Sequence, residues 1–416
     1  MKRILFASVF LFFTANPVHA EDKQNGKASS TISMPAILKA VDAGNAKGQA
    51  ALAEIYASGI GVPKDEQKAA FWYEKAAEQG IDEAQYNLGI LYSEGVGVPR
   101  DFEKATFWWQ KAADQNFAPA QYNLGVSYHQ GRGVPKDDKQ AALWYQKAAE
   151  QNFAPAQLSF GKFFYFGVAV PQNYEKALFW YQKAADQGYA EAQFVLGVSY
   201  SNNQKLLDYK KSIFWYEKAA AQDVVKAQYN LAALYEKGVA VPQDYEKAAS
   251  WFQKGADQNF APSQLALGKL YYFGKAVPQN YEKAVFWFQK AADQGDADGQ
   301  FALGSIYASS QTGLLDYKKA VFWFEKAAEQ GIVGAQYNLA NLYDQGVAGS
   351  QNSEKAAFWY EKAAEQGFAD AQYNLGVHYG KGEGVPQNIE KATFWWQKAA
   401  EKGNVDAQQA LQKLNK

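Results

Sequence analysis

No cysteine occurs among the 416 residues. Disulfides, thiolate nucleophiles, Cys-ligated zinc, iron–sulfur clusters and lipid attachment to a cysteine are therefore excluded. Three histidines leave little room for imidazole chemistry. An excess of either charge is also missing, because 42 Lys and Arg stand against 43 Asp and Glu, a net charge of −1. Such a chain has no basic field to hold nucleic acid, and none is expected as a partner. No HExxH, GxxxxGK[ST], GxSxG or EF-hand pattern is present, so no catalytic residue, metal or cofactor is expected. What is present is an apolar share of 48%, with 16% aromatic, which is ample to bury a core.

Long apolar runs are scarce too. Ile4 to Phe13 is apolar except for Ser8, follows the basic pair Lys2-Arg3, and precedes the compact residues of Val18-His19-Ala20. This is the pattern of a secretory signal peptide, since the run is about half the length that a membrane-spanning helix needs. Cleavage is expected after Ala20, leaving 40 basic and 43 acidic residues, a net −3. No later segment has 18 consecutive apolar residues, so no membrane span is expected in the mature chain. The expected location is the periplasm or the cell exterior, without a lipid anchor. Residues 21–34 are polar and small and read as a flexible leader.

The rest repeats. A glutamine recurs from Gln49 to Gln408 in steps of 36, with a single step of 35. A tryptophan follows each of the first ten by 23 residues, or 22 in the short copy, so ten of the twelve tryptophans share one position. That periodicity assigns the tryptophan to the core. Each unit reads as two helices. In the first, Ala84, Leu88, Gly89 and Tyr92 lie on one face at helical spacing. An Asp or Asn, from Asp65 to Asn388, then holds an N-cap position in every unit. In the second helix Ala105, Trp108 and Ala112 share a face, and a Gly or Asn such as Gly80 or Asn116 closes it, with Asp223 as the exception. Pro35 to Gly44 matches a second helix alone, and residues 404–416 match a first helix alone, as solvated end caps require. The expected fold is all-α: an α/α superhelical solenoid of ten two-helix repeats over residues 35–416, with about 22 helices.

The unit A-x-Y-N-L-G-x-x-Y-x-x-G-x-G-V-P-x-D-x-x-K-A-x-x-W-x-x-K-A-A-x-Q-G resembles the Sel-one-like repeat, a longer relative of the tetratricopeptide repeat. The clearest copy runs from Ala84 to Ala113. The resemblance implies a right-handed superhelix acting as an adaptor or scaffold for protein or peptide partners, as in secreted bacterial members that meet host or envelope proteins. Some cysteine-rich secreted relatives are associated with β-lactams, but this chain lacks the cysteines that mark that branch. Ser201–Leu207 and Ala308–Leu315 depart from the G-x-G-V-P loop, and Gly349-Ser350 replaces Val-Pro in the ninth unit. An offset of 107 residues, which becomes 108 after the deviating loop, relates Asn152–Lys211 to Asn259–Lys319, as if three units had been copied together.

Counting from the glutamine, positions one and two should point away from the core, toward a concave face. Position one carries Tyr86, Tyr122, Tyr229, Tyr337 and Tyr373, and position two carries Asn87, Asn123, Asn230, Asn338 and Asn374. Such a ladder suits a bound peptide, with rigid rings for area and amides for backbone pairing. The same residues could instead pack between neighbouring first helices. The fourth and seventh units place Lys162 before Tyr165-Phe166 and Lys269 before Tyr272-Phe273, where a lysine beside exposed aromatics could receive an acidic group. The other reading is a lysine stretched over apolar packing. An envelope scaffold touching peptidoglycan or polysaccharide is the alternative to a protein adaptor.

Overall fold

The structure, a computed structural model, describes residues 34–347, 349 and 351–414. Among them are 22 α-helices, one short 3-10 turn and no strand. The signal peptide and nearly all of the leader lie outside the described residues. Met34, placed in the leader by composition, opens the first helix, Met34–Asp42. The chain forms two compact bodies, which meet in sequence at Gln222 and Asp223. The N-terminal body ends with the helix Tyr209–Ala221, and the C-terminal body runs from Val225–Lys237 to Val405–Leu414. In each body a first helix packs most extensively on the second helix of its own repeat, then on the second helix of the repeat before.

Helix boundaries follow from capping. In each of the ten second helices the side chain of the Asp or Asn cap accepts a backbone N–H, as Asp101 does from Lys104 at 2.9 Å. Each helix ends on a left-handed residue, and Asp223 takes that conformation with φ +62° as the asparagines do. The next backbone N–H bonds back across the turn, as in Phe117 to Ala112 O at 3.2 Å. The loop before each cap also closes in a constant way. The N–H of Asp65 bonds Tyr56 O at 3.0 Å, and the deviating loops do the same through Asp208 to Tyr200 O at 2.9 Å and Asp316 to Tyr307 O at 2.8 Å. Missing G-x-G-V-P segments therefore leave the loop ends where they are elsewhere.

The core corrects one expectation. The periodic tryptophan is buried only at Trp144, Trp215, Trp287 and Trp323, and the other six are half-buried. The residue after it, aromatic in all ten repeats, lies deeper: Tyr145, Tyr216, Phe252 and Phe324 are at most 1% exposed. This ring points at the first helix of its own repeat and lands on the small residue after the conserved leucine. A Cβ on Gly125 would lie 2.8 Å from the Tyr145 ring, and one on Gly304 would lie 2.5 Å from Phe324. Glycine lowers helix propensity by about 1 kcal/mol, and the ring stacked in its place is the compensation. The tryptophan, one residue earlier, turns by about 100° toward the helix flank.

The glutamine that marks the period is structural as well. It is at most 7% exposed in every repeat. Its Nε2 donates to a carbonyl of the preceding second helix, as Gln85 does to Ala77 O at 3.0 Å and Gln336 to Ala328 O at 3.1 Å. Its Oε1 accepts from a second glutamine at the C-cap of its own repeat, as in Gln115 to Gln85 at 2.8 Å and Gln366 to Gln336 at 2.9 Å. The pairing satisfies both ends of a buried amide, which unpaired would cost roughly 1–3 kcal/mol. The tenth repeat breaks the pattern. Lys402 replaces the cap glutamine, and the buried Oε1 of Gln372 has no partner.

Candidate interaction surface

The first-helix face is narrower than a helical wheel suggests. Tyr86 and Tyr122 are 2% and 5% exposed, and Tyr229, Tyr337 and Tyr373 are half-buried. Asn123 and Asn230 are buried, and Asn87, Asn338 and Asn374 are half-buried. The expectation that both positions face open solvent is thus corrected. The physical reason is that each first helix has neighbours on three sides. Tyr122 packs between Tyr145 and Phe153, which caps the helix Ala154–Phe166, each ring centroid 5.7 Å away. Tyr337 sits in the same way between Tyr360 and Phe368, at 6.1 and 4.9 Å. The hydroxyl of Tyr86 turns toward Asn123, and that of Tyr122 toward Ser159, one repeat on. Tyr360 donates to Asn341 Oδ1 at 2.6 Å and lies beside Asn374. Burial pushes the Tyr122 hydroxyl up to about 12. Tyr122 and Tyr337 thus pack between neighbouring helices.

The two lysines part company. Lys162 is 6% exposed, and its Nζ donates to Glu191 Oε1 at 3.0 Å. It is therefore a buried, ion-paired residue rather than a receiving cation. Lys269 occupies the same position in the seventh repeat and is exposed. The 107-residue offset places Asp298 where Glu191 stands in the N-terminal copy, so the partner side chain is one methylene shorter. Tyr165 and Tyr272 are half-buried against Tyr174 and Tyr281, with ring centroids 5.1 and 5.4 Å apart. Phe166 and Phe273 remain 48% and 61% exposed.

A further surface was not foreseen from the sequence. The residue before the tryptophan is phenylalanine in eight repeats, from Phe71 to Phe394, and every one is about half exposed, between 49% and 53%. Each meets its tryptophan edge to face at about 5 Å, as in Phe214–Trp215 at 4.8 Å. A lysine one turn on approaches the ring, as Lys218 does Phe214 at 5.1 Å. The signal was the Phe-Trp pair itself, masked by the stronger period of the tryptophan.

The two histidines among the described residues are locally engaged. His129 Nδ1 lies 2.5 Å from Asp138 Oδ1. His378 is 2% exposed, with Nδ1 2.8 Å from Glu383 O and Nε2 3.5 Å from Asp344 Oδ1. Among the described residues no group of three or more His, Asp or Glu side chains is placed to hold a metal ion. No helix among them is long and apolar enough to cross a membrane.

The model of one protein family, described as the Sel1 repeat, matches residues 46–81, 82–117, 118–153, 154–189, 190–224, 225–260, 261–296, 297–332, 333–368 and 369–404. A comparison with curated protein sequences finds no match. Among solved structures the chain is similar to c5321, a protective antigen present in uropathogenic Escherichia coli strains displaying an SLR fold. The two are 35% identical over 90% of this chain and 81% of that one, with a TM-score of 0.73. It is also similar to a Sel1 repeat protein from Oxalobacter formigenes, at 29% identity over 92% of this chain and 90% of that one, with a TM-score of 0.32. A third similar structure, the immunity protein Pa5087 from Pseudomonas aeruginosa, is 24% identical over 52% of this chain and 83% of that one, with a TM-score of 0.33.

Proposed function

The chain belongs to the Sel1 repeat family, and on that premise we propose that it is an exported, non-catalytic scaffold that docks host or envelope proteins along its first helices. Solenoids of this kind commonly serve protein–protein interaction. The observation that supports the reading is a contrast. The buried glutamines and tyrosines are taken up largely by the repeats themselves, whereas Phe166 and Phe273 stand open at first-helix ends, a position held by polar residues in the other eight repeats. Exposed aromatics at chosen positions are what a docking surface needs. The amino-terminal pattern Lys2 to Ala20 supports export. So does the likeness to a chain described as a protective antigen.

The test is a pull-down with immobilised residues 21–416 from envelope extract and from host-cell lysate, against a Phe166→Ser/Phe273→Ser bait. A partner kept by the parent chain and lost by the variant is the expected result. Retention by both would move the docking surface elsewhere. Recovery of a mature chain beginning at Glu21 from the periplasm or medium is expected, and an uncleaved cytoplasmic chain would end the export reading.

The half-exposed Phe row favours a second reading, an envelope scaffold that binds peptidoglycan or polysaccharide. Ring faces and edges beside ammonium groups suit sugar C–H surfaces and their carboxylates. Sedimentation with purified sacculi, reduced by Phe286→Ser/Phe322→Ser, is the result that reading requires.

A further inference from the structure

The two copies related by the 107-residue period differ at one place in a way that points to a ligand. In the C-terminal body Phe273, the last residue of the helix Ala261–Phe273, is 61% exposed. Lys269 stands one helical turn before it on the same face and is exposed. Lys275 follows two residues later, also exposed, with its Nζ 6.0 Å from the Phe273 ring centroid and 3.1 Å from the Tyr245 hydroxyl. An apolar ring is thus framed by two cations. Acidic groups lie toward Lys269 at the start of the next first helix, Ala297–Ala308. One is Asp296, whose carboxylate is half-buried and accepts the Gly299 N–H at 2.7 Å. The other is Asp298, which is exposed. The first is occupied by capping its helix, and no carboxylate is within ion-pair reach of either lysine among the ion pairs described.

The N-terminal copy has the ring without this frame. Phe166 is 48% exposed, but its Lys162 is buried against Glu191 at 3.0 Å, and Val168 stands where Lys275 is. Lys205, from the following loop, lies over Tyr174 at 5.6 Å and is the cation on that side. The copies therefore share an aromatic and differ in charge. The difference lies in the side chains and not in the backbone, since both copies fold the same helix pair.

We propose that Lys269, Phe273 and Lys275 form a docking site for an acidic peptide segment in which an apolar side chain is flanked by carboxylates. The apolar side chain covers Phe273, and the carboxylates meet the two ammonium groups. The proposal rests on the scaffold reading and narrows it to one patch of the C-terminal body and one partner chemistry. The complementarity is electrostatic, so binding weakens as salt rises.

The probe is a fluorescein-labelled peptide, Gly-Ser-Glu-Glu-Phe-Glu-Glu-Leu, titrated by fluorescence anisotropy with the mature chain. Binding to the parent chain is expected to fall about tenfold in Lys269→Glu/Lys275→Glu. A similar fall is expected in Phe273→Ser, and no change in Phe166→Ser. All variants are surface changes, and unchanged circular dichroism checks their fold. The peptide with Lys in place of Glu should not bind. No binding by the parent chain, equal affinity of the double variant, or an equal loss in Phe166→Ser would each overturn the site. The scaffold reading is tested separately. A natural partner captured by the parent chain and kept by Lys269→Glu/Lys275→Glu removes this site and leaves the scaffold standing, whereas capture of no partner bears on the scaffold alone.

Discussion

At the scale of single residues, depth within the repeat decides what each aromatic contributes. Tyr360 is 2% exposed and rests on the first helix of its repeat, whereas its neighbour Trp359 is half-buried on the flank. Tyr360→Ala should therefore cost about 3–5 kcal/mol, as large core truncations do, and Trp359→Ala clearly less. Urea titration followed by circular dichroism checks the order, and equal losses would put the core back on the tryptophan. The glutamine pairing makes a prediction of opposite sign. Lys402→Gln supplies the missing donor to the buried Oε1 of Gln372, as Gln366 does for Gln336. A gain of about 1 kcal/mol is expected, the usual net worth of one buried hydrogen bond. An unchanged or lower midpoint would mean that Gln372 is satisfied in another way.

At the scale of elements, the loops and caps carry the testable strain. Ala169, Ala240 and Ala276 hold the second glycine position of the G-x-G-V-P loop at φ +56°, +58° and +63°. Where glycine is kept, as at Gly97, the loop lies so close to the preceding repeat that a Cβ would fall 2.1 Å from Glu66 O. Each Ala→Gly change removes a left-handed alanine and should stabilise by up to about 1 kcal/mol, offset in part by added freedom in the unfolded chain. A triple variant with a lower melting temperature would refute the strain argument. The N-caps give a pH dependence. Backbone N–H groups, with Lys68, Lys247 and Lys319 beside them, hold the Asp65, Asp244 and Asp316 carboxyls below their usual range. A depressed folded value means that the contribution is present above the ordinary carboxylate range and is lost as pH falls through the folded value. Asp244→Asn keeps the cap, as Asn does in four repeats, and should flatten the acid limb of stability measured from about pH 5 to about pH 2.

At the scale of the whole molecule, the buried tyrosines set the alkaline limit. Burial raises the hydroxyls of Tyr145 and Tyr181 well above the ordinary value, and that of Tyr122 to about 12. The unfolded value is about 10. A raised folded value means that stability is complete below about pH 10 and is lost as pH climbs through the folded values. Phenolate absorbance should therefore rise in two stages, an early one from exposed tyrosines and a late one coincident with loss of helical circular dichroism. A single early stage with helices intact would show the core tyrosines to be open to solvent. The repetition of one repeat design through both bodies makes this a property of the array and not of one site.

The fold was readable along the chain because each repeat states it locally. Caps, left-handed closers and the small residue after the leucine are short-range signals, and ten copies remove their ambiguity. Asp223 in the left-handed position and the common closure of the deviating loops followed the same local rules. The surface was a different matter. Whether Tyr86 or Tyr122 faces solvent depends on Phe117 and Tyr145, which lie outside its own helix, and a wheel drawn on one helix does not contain them. Lys162 is buried against Glu191, 29 residues downstream, whereas Lys269, with Asp298 at the matching position, is exposed. Sequence alone determined the repeat, its two helices and their ends, because those are set by backbone hydrogen bonds within a few residues. Only the tertiary structure decided which side chains are left open to a partner, because exposure is what remains after every neighbouring helix has taken its share of the surface.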